Sequence, residues 1–103
     1  MKPKLRDYEE GLVKKLKKPV FAVEYLNAAL EDEGDGAEER FLIALGHMAK
    51  AHGMSSVANK SGMARQAIYR ALSESGNPEF STLRNLLDAM GMRLSVEQKK
   101  RVG

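Results

Sequence analysis

With 103 residues, 43% of them apolar and 30% charged, the chain is long enough for one modest core and has the balance of a soluble globular protein. It contains no cysteine, which excludes disulfides, thiolate metal sites and a cysteine nucleophile, and no apolar run of the roughly 18 residues needed to cross a bilayer. A net charge of +3 permits a nucleic-acid partner without requiring one.

Taken in chain order, nearly everything reads as helix. Residues 1–7 lack the apolar stretch of a signal peptide, so a cytoplasmic protein with no membrane association is expected. Leu5, Tyr8, Leu12 and Leu16 recur at helical spacing, with Gly11 as an interior cost of about 1 kcal/mol. Pro19 suits the first turn of a second helix, in which Ala22, Tyr25, Leu26, Ala29 and Leu30 fall on one face. The residues Glu33-Gly34-Asp35-Gly36 break it. Asp35 is expected to cap a third helix, with Glu38 completing a capping box, and Phe41, Leu45, Met48 and His52 form its buried stripe until Gly53.

Beyond Gly53 the elements shorten. Residues 55–61 and 64–73 read as two short helices joined at Gly62, and Ser75-Gly76-Asn77-Pro78 as a loop. Ser81 is the expected cap of a last helix whose apolar face is Leu83, Leu86, Leu87 and Met90, ending at Gly91. Residues 92–96 alternate as a strand does, and so short a strand needs a partner to be stable. The organisation expected is therefore residues 1–33 as N-terminal helices that bind a partner, 35–91 as a DNA-binding bundle, and 92–103 as a strand and basic tail.

Function is most legible around Gly62. A helix-turn-helix needs a small residue where its helices cross, commonly a glycine that takes positive φ in the turn, and apolar residues that lock the second helix. Ala58, Gly62, Met63 and Ile68 meet these demands in order, with Val57 facing the core. Arg65, Gln66, Tyr69 and Arg70 are then left outward, with side chains able to reach base edges: Gln66 suits adenine, Arg65 or Arg70 suits guanine. Tyr69 would stack on a sugar or thymine methyl, or pack on the last helix. Lys60 and Ser61 before the turn, and Asn77 and Thr82 near the start of the last helix, are the expected phosphate contacts. Charge agrees: residues 54–76 hold Lys60, Arg65 and Arg70 against Glu74 alone, whereas residues 1–33 balance seven basic with seven acidic side chains. The runs Lys14, Lys15, Lys17, Lys18 and Lys99, Lys100, Arg101 read as solvated.

The segments SGMARQAIYRALS at 61–73, GNP at 76–78 and STL at 81–83, with FAVEYLNAAL at 21–30 and MGMRLSV at 90–96, resemble the addiction-module antidote proteins, a branch of the λ-repressor-like (XRE-type) helix-turn-helix class. The likeness covers roughly residues 7 to 98. It implies an all-α, λ-repressor-like bundle with extra N-terminal helices and a short C-terminal strand. It also implies an antitoxin that dimerises, represses its own promoter on operator DNA and neutralises a small RelE-like ribonuclease toxin. Two departures bear on phosphate positioning: Ala64 stands where such proteins commonly carry a capping serine, and Met54 where many have a glutamine. For the toxin, Phe21, Tyr25, Leu26 and Leu30 are the expected contacts, because two N-terminal helices exceed what the DNA-binding unit needs for its own core. A homodimer is expected because one recognition helix covers few base pairs, with the last helix and residues 92–96 as candidate interfaces. The alternative is a protein-interaction module that holds a partner through 1–33 and 92–96, with weak or no specific DNA binding.

An enzyme is not expected, nor a cofactor or metal. His47 and His52, five apart, lie about 140° apart around a helix and make a poor metal pair. His52 reads as a C-terminal residue favourable to the helix dipole. The carboxylates at 31–39 surround a turn with nothing apolar to perturb them. Met48, Met54, Met63, Met90 and Met92 read as core filler.

Overall fold

The computed structural model describes residues 5–99, with side chains from Asp7 onward. Each apolar periodicity becomes a helix: α1 (Leu5–Leu16), α2 (Pro19–Glu31), α3 (Ala37–His52), α4 (Met54–Ser61), α5 (Arg65–Ala71) and α6 (Phe80–Ala89). Among the described residues these six helices are accompanied by no strand. None is long and apolar enough to cross a membrane.

Helix α3 is the central element. It takes α1 and α2 along one side and α4 beyond its end, while α4 in turn packs on α5 and α6. The interior is one cluster: Leu16, Ala22 and Leu26 from the first two helices meet Leu45 and Met48 of α3, and Val57, Ile68 and Leu86 complete it. The N-terminal helices therefore share a core with the rest of the chain. Gly53 ends α3 and begins α4, so the two helices meet in a one-residue corner.

Several expectations are corrected here. The strand at 92–96 is absent, since the segment has no neighbouring strand to bond and runs as coil after Gly91, with Met92 half-buried against the core and residues 93–96 exposed. The capping box does not form. Gly36 sits at the N-cap of α3 with left-handed backbone and no side-chain cap, and the loop is held instead by Asp32, which accepts the Arg40 Nε–H at 2.6 Å and the Gly34 N–H at 3.0 Å. The Arg40 guanidinium, followed by that backbone bond, holds the Asp32 carboxyl below the usual range. Helix α6 starts two residues earlier than a cap at Ser81 predicts, with Glu79 at its N-cap and no side-chain cap. His52 is exposed, whereas Leu42, Ala44 and Ala49 join Leu45 and Met48 in the buried face of α3. Its imidazole is held below the ordinary histidine value by desolvation, and secondarily by Lys60. Tyr8, grouped by spacing with the apolar face of α1, is 64% exposed. Lys14, Lys15, Lys17 and Lys18 are exposed as expected, Lys99 pairs with Glu33 at 3.2 Å, and Lys100 and Arg101 lie outside the described residues.

Candidate nucleic-acid interface

The α4–α5 corner is built from three local devices. First, Gly62 closes α4 with φ of 74°, a left-handed conformation that an L side chain resists, and its N–H bonds the Ala58 carbonyl at 2.9 Å. Second, the Ser61 hydroxyl donates to the Ala58 carbonyl at 3.4 Å and accepts the Met63 N–H at 3.2 Å, which fixes the chain as it leaves the turn. Third, the Asn85 Nδ2 donates to the Ser61 carbonyl at 2.8 Å, tying the end of α4 to α6. Val57 and Ile68, both fully buried, then lock α4 and α5 onto the core, while Ala58 and Met63 pack at its edge. Removing a side chain as enclosed as Ile68 would cost about 2–5 kcal/mol, so this packing determines which face of α5 is presented.

That face carries the four residues expected to read bases. Arg65, Gln66, Tyr69 and Arg70 are all exposed, at positions i, i+1, i+4 and i+5 of one short helix. No ion pair holds either arginine among the described residues. The N-cap of α5 is Ala64, in extended backbone and without a side-chain cap, as its methyl group dictates. In front of the turn lies a shallow open depression lined by Ser55, Asn59, Gly62 and Arg65, of which Ser55 and Asn59 add exposed polar groups that helical periodicity gives no reason to single out. Tyr69, half exposed, borders a groove against Ile43 and His47 of α3, not against α6.

The expected phosphate contacts divide. Lys60 and Asn77 are exposed, Thr82 is half-buried in the first turn of α6, and the Ser61 hydroxyl is engaged by the turn itself. Asn77 is carried by a tightly folded loop: Gly76 donates to the Ser73 carbonyl at 2.9 Å, and a Cβ at Gly76 would run into the Ala71 carbonyl, so only glycine fits this approach. Asn85, unremarked in the sequence, announces itself only as an amide between the apolar Leu83 and Leu86.

The four expected partner contacts divide into two pairs, Phe21 with Tyr25 and Leu26 with Leu30, the latter lining one groove. Leu26 is buried, because it lies one turn after Ala22 on the face that meets α3, and so it is a core residue and not a contact. Phe21 and Tyr25 stack at 6.3 Å and are half-buried. Burial raises the Tyr25 phenol above its ordinary pKa, and its oxygen lies 3.3 Å from His47 Nδ1. His47 Nε2 in turn is 3.9 Å from a Glu9 carboxylate oxygen, and Lys50 reaches the other Glu9 oxygen at 3.7 Å. This chain joins α1, α2 and α3. Leu30 alone of the four is well exposed, at 51%, and on the outer face of α2 it is accompanied by Val20 at 73% and Val23 at 44%. The signal for these two valines was that α2 is apolar on nearly every side, which a single buried face does not explain.

Comparison with known proteins gives a coherent result. The model of one protein family, described as "Probable addiction module antidote protein", matches residues 9–98. A protein of Haemophilus influenzae, described only as uncharacterized, is 37% identical over 76 residues, which are 74% of this chain and 75% of that one. No solved structure matches.

Proposed function

The chain belongs to the addiction-module antidote family, and from that premise we propose that it is an antitoxin which binds its own operator as a dimer, represses the promoter it shares with a toxin gene, and neutralises that toxin. The fold that goes with this reading is the λ-repressor-like, XRE-type helix-turn-helix bundle, in which α4 and α5 are the two helices of the motif and α5 enters the major groove. The observation that carries it is the face of α5. Ile68 is locked into the core while Arg65, Gln66, Tyr69 and Arg70 stand free beside a glycine turn, and a merely solvated helix gives no reason for that combination of groups able to hydrogen-bond base edges. Lys60 and Asn77 flank this face and supply sequence-independent attraction to phosphate. The protein acts by binding and not by catalysis.

The toxin proposed is a small, basic, RelE-like ribonuclease. Support for a protein partner comes from the apolar outer face of α2, where Val20, Val23 and Leu30 alternate with Glu24 and Glu31. This face also favours the second reading, in which partner binding is the principal activity and DNA binding is weak. Footprinting on the duplex upstream of the protein's own gene separates the two. The antitoxin reading expects two protected half-sites about one helical turn, roughly 34 Å, apart. Absence of protection at micromolar protein, with the neighbouring gene product still co-purifying, would leave only the second reading.

A further inference from the structure

Helix α6 has an outer stripe that its own chain does not cover. Phe80, Arg84 and Asp88 follow one another at four-residue intervals, all exposed, and Phe80 is 64% exposed despite its size. A groove runs between this stripe and the coil that follows Gly91, with Met92 and Leu94 on its far wall. The charges on the stripe are of opposite sign but do not pair with each other. The Arg84 guanidinium lies over the Phe80 ring, 5.8 Å from its centroid, which turns it toward the start of the helix and away from Asp88. Asp88 has no ion-pair partner among the described residues.

We infer that this face is the isologous dimer interface, its occupant the same stripe of a second copy, packed antiparallel about a two-fold axis at Leu86. The inference rests on the proposal that the protein is a dimer, and adds the residues that meet and their register. A two-fold axis at Leu86 sets residue i against residue 172 − i of the second copy, so each Arg84 meets the other copy's Asp88, twice over. It also brings Phe80 to the far end of the second copy's α6, toward the groove that Met92 and Leu94 wall. Neighbouring registers fail on charge: an axis at Arg84 opposes two guanidiniums and an axis at Asp88 opposes two carboxylates. Of these three registers only the one at Leu86 pairs opposite charges. Because Asn85 ties α6 to the end of α4, this interface also fixes the separation of the two α5 helices.

Sedimentation equilibrium of the full chain without DNA tests this directly. Arg84→Asp and Asp88→Arg should each weaken dimerisation by about tenfold or more, through two like-charge contacts per dimer, and the double variant should recover most of the loss because the pairs are restored with their signs exchanged. Arg84→Gln and Asp88→Asn, which remove attraction without adding repulsion, should give smaller losses of the same sign, and serve if a charge reversal lowers the helical content seen by circular dichroism. Single variants that dimerise as the unaltered chain does would overturn the interface, and so would a double variant no better than the singles. An unaltered chain that stays monomeric at high micromolar concentration would overturn interface and dimer together. Titration of the unaltered chain with operator DNA is a separate measurement, so failure of the DNA-binding reading would be seen independently of the Arg84 and Asp88 results.

Discussion

Helices α1 and α2 and the α4–α5 corner rest on one core, yet they turn opposite kinds of surface to the solvent. The corner presents Arg65, Gln66 and Arg70 with Lys60 beside them, groups that lose little by staying in water and gain most against base edges and phosphates. Helix α2 presents Val20, Val23 and Leu30, which are costly to leave in water and suit an apolar protein surface. Under the proposed function the two surfaces would suit two different partners by side-chain chemistry. The shared core also makes the two faces parts of one folding unit, so neither is an independent module.

That last point is the easiest to break and carries the largest effect. Leu16, in α1, is fully buried, and Leu16→Ala should destabilise the whole chain by about 2–5 kcal/mol in one cooperative transition. If hydrogen exchange showed α5 keeping its protection while α1 and α2 opened, the two regions would be separate units. Gln66→Ala addresses the corner alone. It should remove about 1–3 kcal/mol of discrimination at one base pair of each half-site while leaving non-specific binding nearly unchanged, as read by titration against single-base operator variants. A uniform loss over all sequences would mean that Gln66 holds phosphate and that the helix sits differently in the groove. On the outer face of α2, Val20→Asp should weaken capture of the neighbouring gene product by about tenfold, the order expected when a charge replaces an interface side chain, with operator affinity unaltered. Loss of both activities together would erase the distinction between the faces.

The smallest effect concerns the loop that joins α2 to α3. Asp32 has its carboxyl pKa lowered chiefly by Arg40, so the bridge stabilises the fold fully above about pH 4 and the contribution is lost as pH falls through the depressed value. Asp32→Asn should therefore flatten the acid limb of a plot of Tm against pH, and salt should shrink the difference because the pair is exposed. An acid limb unchanged in the variant would place the loss of stability elsewhere.

What could be read from the sequence follows the same division. Where a position admits few residues for steric reasons it was legible: Gly62 in left-handed backbone, Gly53 at a corner, and Val57 and Ile68 at the spacing that locks α5. Where several side chains could serve equally, it was not. In α2 periodicity placed Leu26 on one face with Ala22 and apart from Val20, but with apolar residues on most sides it could not tell that this face meets the core and not a partner. At the helix starts, Asp35 and Ser81 had the right chemistry to cap, but loop geometry gave those places to Gly36 and Glu79. Alternation at 92–96 predicted a strand without supplying the neighbour that a strand requires, and Asn85 acts across 24 residues on a carbonyl that no local pattern reveals.

The central claim is that the α5 face recognises sequence. It is tested most directly by titrating the full chain against its own upstream duplex and against unrelated DNA of the same length at two salt concentrations. Specific binding predicts a dissociation constant near 10⁻⁸ M or below for the upstream duplex, about 10³-fold or more tighter than for unrelated DNA, with a preference that survives the higher salt. Equal, micromolar binding to both duplexes that vanishes as salt rises would contradict it.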